Sequence, residues 1–231
     1  MTAATTATTV LVAVSAALAT LVLVLLWRLR TLSRALDRTH EESKRNRRLA
    51  DLDALTGLHN RRYFHETLAR EVARARRYGR RLALIVLDLD DFKAINDRIG
   101  HLAGDAVLAE TAERVRAVVR SADIACRVGG DEFAVVLPES TTADGDQLYQ
   151  RLHSAVSSKP IGQAGHLTLS AGIAELLPEE DATAFFERAD EALYRAKGRG
   201  KGQIVAAGKS GPAAGSDDPD ATPRPGTAKS R

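Results

Sequence analysis

The chain has 231 residues, enough for one domain of ordinary size with extensions. Hydrophobic content is 44% and charged content 27%, ordinary for a globular protein, but aromatics make up only 4%, so the core must be built from Leu, Val, Ala and Ile. A single cysteine, Cys126, excludes an intrachain disulfide and fits a reducing compartment. The net charge of +3 is small, and no nucleic-acid partner is expected.

Residues 1–9 carry no Lys or Arg and form a short extracytoplasmic N-terminus on this reading. Residues 10–27, Val10 to Trp27, contain no charged residue. With the uncharged residues before it, this run is long enough to cross a bilayer, which takes about 20 residues at 1.5 Å each. A cleaved signal peptide wants positive charge before the apolar run; here Arg28, Arg30, Arg34 and Arg38 follow it instead. The positive-inside rule then places the N-terminus outside and everything after Trp27 in the cytoplasm. The expectation is a single-pass protein of the inner (cytoplasmic) membrane, with the lipid bilayer as a partner. Residues 28–52 carry Leu29, Leu32 and Leu36 at helical spacing and no Gly or Pro. The stripe fades after Leu36, which leaves a weak coiled coil or a solvated linker helix.

Residues 53–205 are expected to be the folded domain. Asn60 can cap a helix through Tyr63, Phe64, Leu68 and Val72. Leu82–Leu87 is a buried strand, and Phe92 to about Arg98 a helix broken at Gly100. A helix from Asp105 to Val119 follows, with Val107, Leu108, Val115, Val118 and Val119 on its apolar side. Gly129 and Gly130 between β-formers make a tight hairpin turn. Cys126, a small residue in one of its strands, is assigned to packing. Leu148–Val156 is helical, His166–Ile173 a strand, Ala182–Lys197 a helix and Gln203–Val205 a short strand. The order β-α-α-β-β-α-β is an elaborated ferredoxin-like pattern: an α/β (α+β) domain with a mainly antiparallel sheet and helices packed on it. Residues 206–231 are rich in Ala, Gly, Ser, Pro and Asp without apolar periodicity, and are expected to be disordered.

The chemistry concentrates at two places. Arg127-Val-Gly-Gly-Asp-Glu-Phe133 puts Asp131 and Glu132 on a hairpin tip, and Asp88-Leu-Asp-Asp91 ends the first strand. Paired side by side, these strands bring Asp88 and Asp131 to one sheet edge. Adjacent carboxylates repel unless a cation lies between them, which suggests a Mg²⁺ site. Either Asp90 or Asp91 is expected to cap the helix that starts near Phe92.

Five motifs in order then resemble the GGDEF-domain diguanylate cyclase family. They are Asp-Ala-Leu-Thr-Gly-Leu-His-Asn-Arg-Arg at 53–62, Asp-Leu-Asp-Asp-Phe-Lys-Ala-Ile-Asn-Asp at 88–97, and Gly-His-Leu-Ala-Gly-Asp at 100–105. Gly-Gly-Asp-Glu-Phe at 129–133 and Leu-Tyr-Arg-Ala-Lys at 193–197 complete the set. The resemblance implies condensation of two GTP molecules into cyclic di-GMP with release of pyrophosphate, in a homodimer, since each site holds one GTP. It implies metal ligation by Asp88, Asp131 and the Leu89 carbonyl, with Mg²⁺ as cofactor and Mn²⁺ as a possible substitute. Asp131, with Glu132 beside it, is the implied proton acceptor, and Lys93 the implied charge stabiliser. Asn96 and Asp105 resemble the guanine-recognising pair; His101 lines the same pocket or packs its loop. Gly129 and Gly130 allow close approach of the nucleotide. Lys197 resembles a phosphate contact, and Lys201 stands where the family has arginine, keeping the charge but losing the bidentate fork. Arg120 and Asp123, with five residues between Asp123 and Gly129, match the family's product-inhibition site. The competing readings are a cyclic di-GMP receptor without activity and a membrane-tethered scaffold.

Overall fold

The computed structural model describes Trp27, Arg28, Arg30 and residues 51–208. The chain divides into two units, Met1–Asp51 and Leu52–Arg231. In the first, Trp27, Arg28 and Arg30 are helical and exposed. Apart from these positions, Asp51 and Leu52, the expected membrane and linker segments lie outside the described residues; so does the tail beyond Gly208. Among the described residues no helix is long and apolar enough to cross a membrane.

The second unit runs α1 (Arg61–Tyr78), β1 (Leu82–Leu89), α2 (Phe92–Ile99), α3 (His101–Val118), β2 (Ile124–Arg127), β3 (Glu132–Pro138) and α4 (Thr142–Ser157). A 3₁₀ turn (Gly162–Ala164), β4 (Leu169–Glu175), α5 (Ala182–Gly198) and β5 (Ile204–Ala206) follow. The strands form one mixed sheet in the order β2-β3-β1-β4-β5. Only β4 and β5 are parallel. The order of elements after α1 is the one the sequence predicts.

β1 is central and buried along its whole length. Its side chains alternate between two apolar layers, as the period of a strand requires. Ala83, Ile85, Leu87 and Leu89 pack with residues of α2, α3 and α4, among them Phe92, Leu108, Val115 and Leu152. Leu82, Leu84 and Val86 face α1 and α5, against Phe64, Leu68, Phe185 and Leu193. A strand covered on both faces reads as an unbroken apolar run, which is why Leu82–Leu87 shows no alternation. Cys126 lies in the second layer, where burial pushes its thiol up to about 12, so it packs and does not react.

Local chemistry sets the helix ends. The Asn60 side chain accepts from the Tyr63 amide at 3.0 Å, as expected, and Gly79 closes α1 in the left-handed region. α3 begins at His101, four residues before the predicted start, because Gly100 ends α2 and opens α3 at φ 82° without a connecting loop. β4 begins at Leu169, not His166, because its pairing with β1 starts where β1 ends, at Leu89 opposite Leu169.

The cap expected from Asp90 or Asp91 is not made. Asp91 occupies the cap position of α2 in the left-handed region, and its side chain makes no capping bond. Asp90 is buried and bonded to β4. A carboxylate that turns inward to hydroxyl donors is withdrawn from the helix end.

α5 lies directly on β4. A Cβ on Gly172 would overlap the Ala189 carbonyl oxygen and the Leu193 nitrogen, backbone atoms that cannot swing aside. The helix is also pinned by Arg188, buried and doubly bonded to Glu180 at 2.6 and 2.7 Å, which donates as well to the Glu175 carbonyl. Gly172→Ala is expected to cost about 3 kcal/mol and to lower the melting temperature by about 10 °C, measured by thermal denaturation.

Candidate active site

The carboxyl end of β1 meets the start of β3 and of β4. Asp88 stands opposite Glu132 on one side and Ser170 on the other. The Leu89 amide donates to the Asp131 carbonyl at 3.2 Å, which brings Asp131 beside the end of β1. Asp88 is buried, and its carboxylate lies 2.7 Å from the Lys197 ammonium at the last turn of α5. Burial pushes the Asp88 carboxyl up to about 6; the Lys197 hydrogen bond opposes this, while the charges of Asp131 and Glu132 push it further up. Asp88 therefore feels two further carboxylates at this edge.

The β2–β3 connection differs from a two-glycine turn. Residues 128–131 form the loop, with the Val128 amide donating to the Glu132 carbonyl at 3.0 Å, and neither Gly129 nor Gly130 has positive φ. A Cβ on Gly129 would collide with the Glu132 carboxylate; one on Gly130 would meet nothing. Gly129 thus makes room for Glu132. The loop is held from outside by Arg127, which donates through Nε and Nη2 to the Gly130 carbonyl at 3.1 and 2.8 Å. Its third nitrogen pairs with Asp53 at 3.1 Å. Asp53 is itself bonded to the Thr56 hydroxyl and amide and to Arg127, and these bonds outweigh burial and hold its carboxyl below the usual range.

Lys93, Asn96, His101, Asp105, Gly130 and Asp131 line one cavity of about 400 Å³. Asn96 rests against Gly104, where any Cβ would overlap its amide oxygen. That oxygen is buried and accepts no hydrogen bond. An unsatisfied acceptor beside a cavity is a place for a ligand donor. Glu132 and Lys197 line a second groove, of about 510 Å³, with Leu193 and Tyr194.

Lys201 lies in neither cavity. Its ammonium is 2.6 Å from the Asp91 carboxylate, which raises the lysine above its ordinary range. Arg120 and Asp123 are at the opposite end of the sheet, on the loop before Ile124, where β2 begins opposite Val136. The Asp123 carboxylate accepts from the Arg120 amide at 2.9 Å, and the Arg120 charge acts on Asp144.

Among the described residues, no group of three or more His, Cys, Asp or Glu side chains is arranged to hold a metal ion. The donor set nevertheless suits Mg²⁺, which is usually bound through one or two carboxylates plus substrate phosphates. The mutual repulsion of Asp88, Asp131 and Glu132 is what such a cation would relieve.

Sequence reasoning did not assign Arg127, Asp53 or Gly104 to the site, although each lies inside a motif. The Asp53–Arg127 contact spans 74 residues and leaves no local signal.

The family model described as "Diguanylate cyclase, GGDEF domain" matches residues 50–203. The chain is 46% identical over 172 residues to the diguanylate cyclase DgcP of Pseudomonas aeruginosa, across 73% of this chain and 25% of that protein. It is 42% identical over 152 residues to the diguanylate cyclase DgcS of Shewanella oneidensis, across 66% of this chain and 51% of that protein. It thus spans about a quarter to a half of the length of these curated relatives. Among solved structures, the coiled coil and GGDEF domain of DgcB from Caulobacter crescentus, in complex with c-di-GMP, superposes with a TM-score of 0.71 at 35% identity, covering 78% of this chain and 97% of that one. The match runs through the sheet edge, the hairpin and the cavity beneath it, and by it this chain belongs to the GGDEF-domain family of diguanylate cyclases.

Proposed function

We propose that the chain condenses two GTP molecules into cyclic di-GMP. The observation that carries this reading is the crowding of Asp131 and Glu132 around Asp88 at one sheet edge, with Asp131 lining the same cavity as Asn96, whose side-chain oxygen is buried and unsatisfied. In this reading Asp105 accepts from the guanine N1–H and N2–H₂, and Asn96 completes the contact with the base. Asp131 takes the proton of the attacking ribose 3′-hydroxyl, with Glu132 beside it. The hydroxyl oxygen bonds to the α-phosphorus of the second GTP, the bond to the β-phosphate oxygen breaks, and pyrophosphate leaves; a second round closes the ring. Lys93, Lys197 and Lys201 offset the charge that gathers on the phosphates. Mg²⁺, held by Asp88, Asp131 and the Leu89 carbonyl, would make the 3′-hydroxyl more acidic and neutralise the leaving group. Lys197, 2.7 Å from the Asp88 carboxylate, holds that side chain at the sheet edge.

One site accommodates one GTP, so we take the active form to be a homodimer with two sites face to face. The apolar run 10–27 and the arginines after it support a single-pass protein with this domain in the cytoplasm. Arg120, exposed, and Asp123, half-buried, at the end of the sheet away from Asp88, suit a binding site for the product that slows the enzyme.

Three measurements test this. The full chain with GTP and Mg²⁺ should form cyclic di-GMP, and Asp131→Ala should lose at least about 100-fold of that rate; GTP binding without product in the wild type would mean a receptor or scaffold. Arg120→Ala should keep the uninhibited rate and need at least about tenfold more cyclic di-GMP for half inhibition, since a charge-assisted contact is lost. Asp88→Asn should lose activity yet stabilise the metal-free fold. The sign follows from the raised carboxyl: the native state keeps its proton above pH 4 while the unfolded chain gives it up. Stability therefore falls as pH rises from about 4 to about 6 and stays lower above that. In chelator at pH 8, Asp88→Asn should melt higher by about 2 kcal/mol of stability, with the difference gone near pH 3.5.

A further inference from the structure

Asp90 lies one residue beyond Leu89, is buried, and lines neither cavity. Its carboxylate is fully engaged. Oδ1 accepts from the Ser170 hydroxyl at 2.6 Å, and Oδ2 accepts from the Thr168 hydroxyl at 2.6 Å and the Gly202 amide at 3.0 Å. The Gly202 amide also reaches the Ser170 hydroxyl at 3.2 Å, and the Asp90 amide donates to the Thr168 carbonyl at 3.0 Å. Asp90 thus ties the end of β1 to β4 and to the loop after α5.

That loop needs outside support. Gly200, Lys201 and Gly202 have φ values of 109°, 64° and 58°, three left-handed residues in succession. Lysine gains nothing from this region, and such a conformation persists only where its surroundings impose it. Backbone bonds return from the Gly200 and Lys201 amides to the Lys197 and Ala196 carbonyls, and the Gln203 side chain donates to the Arg199 carbonyl at 2.9 Å. The contacts that come from another part of the fold include two adjacent carboxylates: Asp90 holds the Gly202 backbone and Asp91 the Lys201 ammonium.

We propose that Asp90 is a positioning residue, which fixes the Gly200–Gly202 turn so that Lys201 is presented to the nucleotide phosphates. The inference rests on the reading of Lys201 as a phosphate contact. It also assigns the two aspartates different tasks. Asp91, exposed, is a resting place for the Lys201 ammonium that a phosphate can displace. Asp90, buried with three donors on two oxygens, does not let go.

The test uses the full chain. Asp90→Ala should raise the KM for GTP about tenfold and change kcat less than threefold. It should also speed hydrogen exchange of the Gly202 amide at least tenfold, with β1 amides unaffected. Asp90→Asn keeps one oxygen for Gly202 while the hydroxyls can turn to accept, so it should rescue most of the KM; it also serves if Asp90→Ala does not fold. Acting through Lys201, Asp90→Ala should change KM less than twofold in a Lys201→Ala background. An equal tenfold loss in both backgrounds, or a lower melting temperature at unchanged KM, would overturn the proposal. Gly202 exchange unaltered in Asp90→Ala or, where that variant does not fold, in Thr168→Val would do the same. If the wild type binds no GTP, the functional reading above falls, and exchange at Gly202 alone decides whether Asp90 holds the turn.

Discussion

A buried carboxylate at the end of a doubly covered strand is the constraint around which this domain is arranged. β1 has helices on both faces, so whatever follows its apolar run enters a site already partly closed to water. Asp88 is the first residue to do so. Its charge is disfavoured by burial and by two neighbouring carboxylates, and is balanced by Lys197 from the last turn of α5. Placing that lysine requires α5 to sit hard against β4, which Gly172 permits and the buried Arg188–Glu180 pair secures. The packing of a helix on a sheet and the electrostatics of a site are here one problem.

The same economy governs the hairpin. Its two glycines are not needed for a left-handed turn; Gly129 is needed because Glu132 folds back over it. The loop keeps its shape because Arg127 grips the Gly130 carbonyl and is in turn held by Asp53 at the start of the domain. A chain arriving from residue 52 is thereby coupled within two contacts to the tip that carries Asp131. Gly104 plays the corresponding part for Asn96, leaving an acceptor that no described residue satisfies.

Much of this was legible before any coordinates. Long segments with a single period, such as Arg61–Tyr78 and Leu82–Leu89, announce their structure because local pattern and burial agree. The motifs around Asp88, Asn96, Asp105 and Asp131 are short in sequence and carry their chemistry in residue type. The failures share a cause. Asp91 looks like a helix cap by spacing, yet its backbone goes left-handed without a capping bond, while its neighbour Asp90 turns to hydroxyls 78 and 80 residues away. The early start of α3 depends on one glycine serving two helices at once.

The sequence by itself determined the order of elements, the family and the kinds of groups available for chemistry, because these depend on periodicity and on residue identity. Only the tertiary structure decided which groups share a field and which are tethered. Asp88 meets Lys197 across 109 residues and Asp90 meets Gly202 across 112. Electrostatic coupling falls with distance in space, not along the chain, so the pairing of Asp88, the orphan oxygen of Asn96 and the clasp on Lys201 appear only when the sheet edge is assembled.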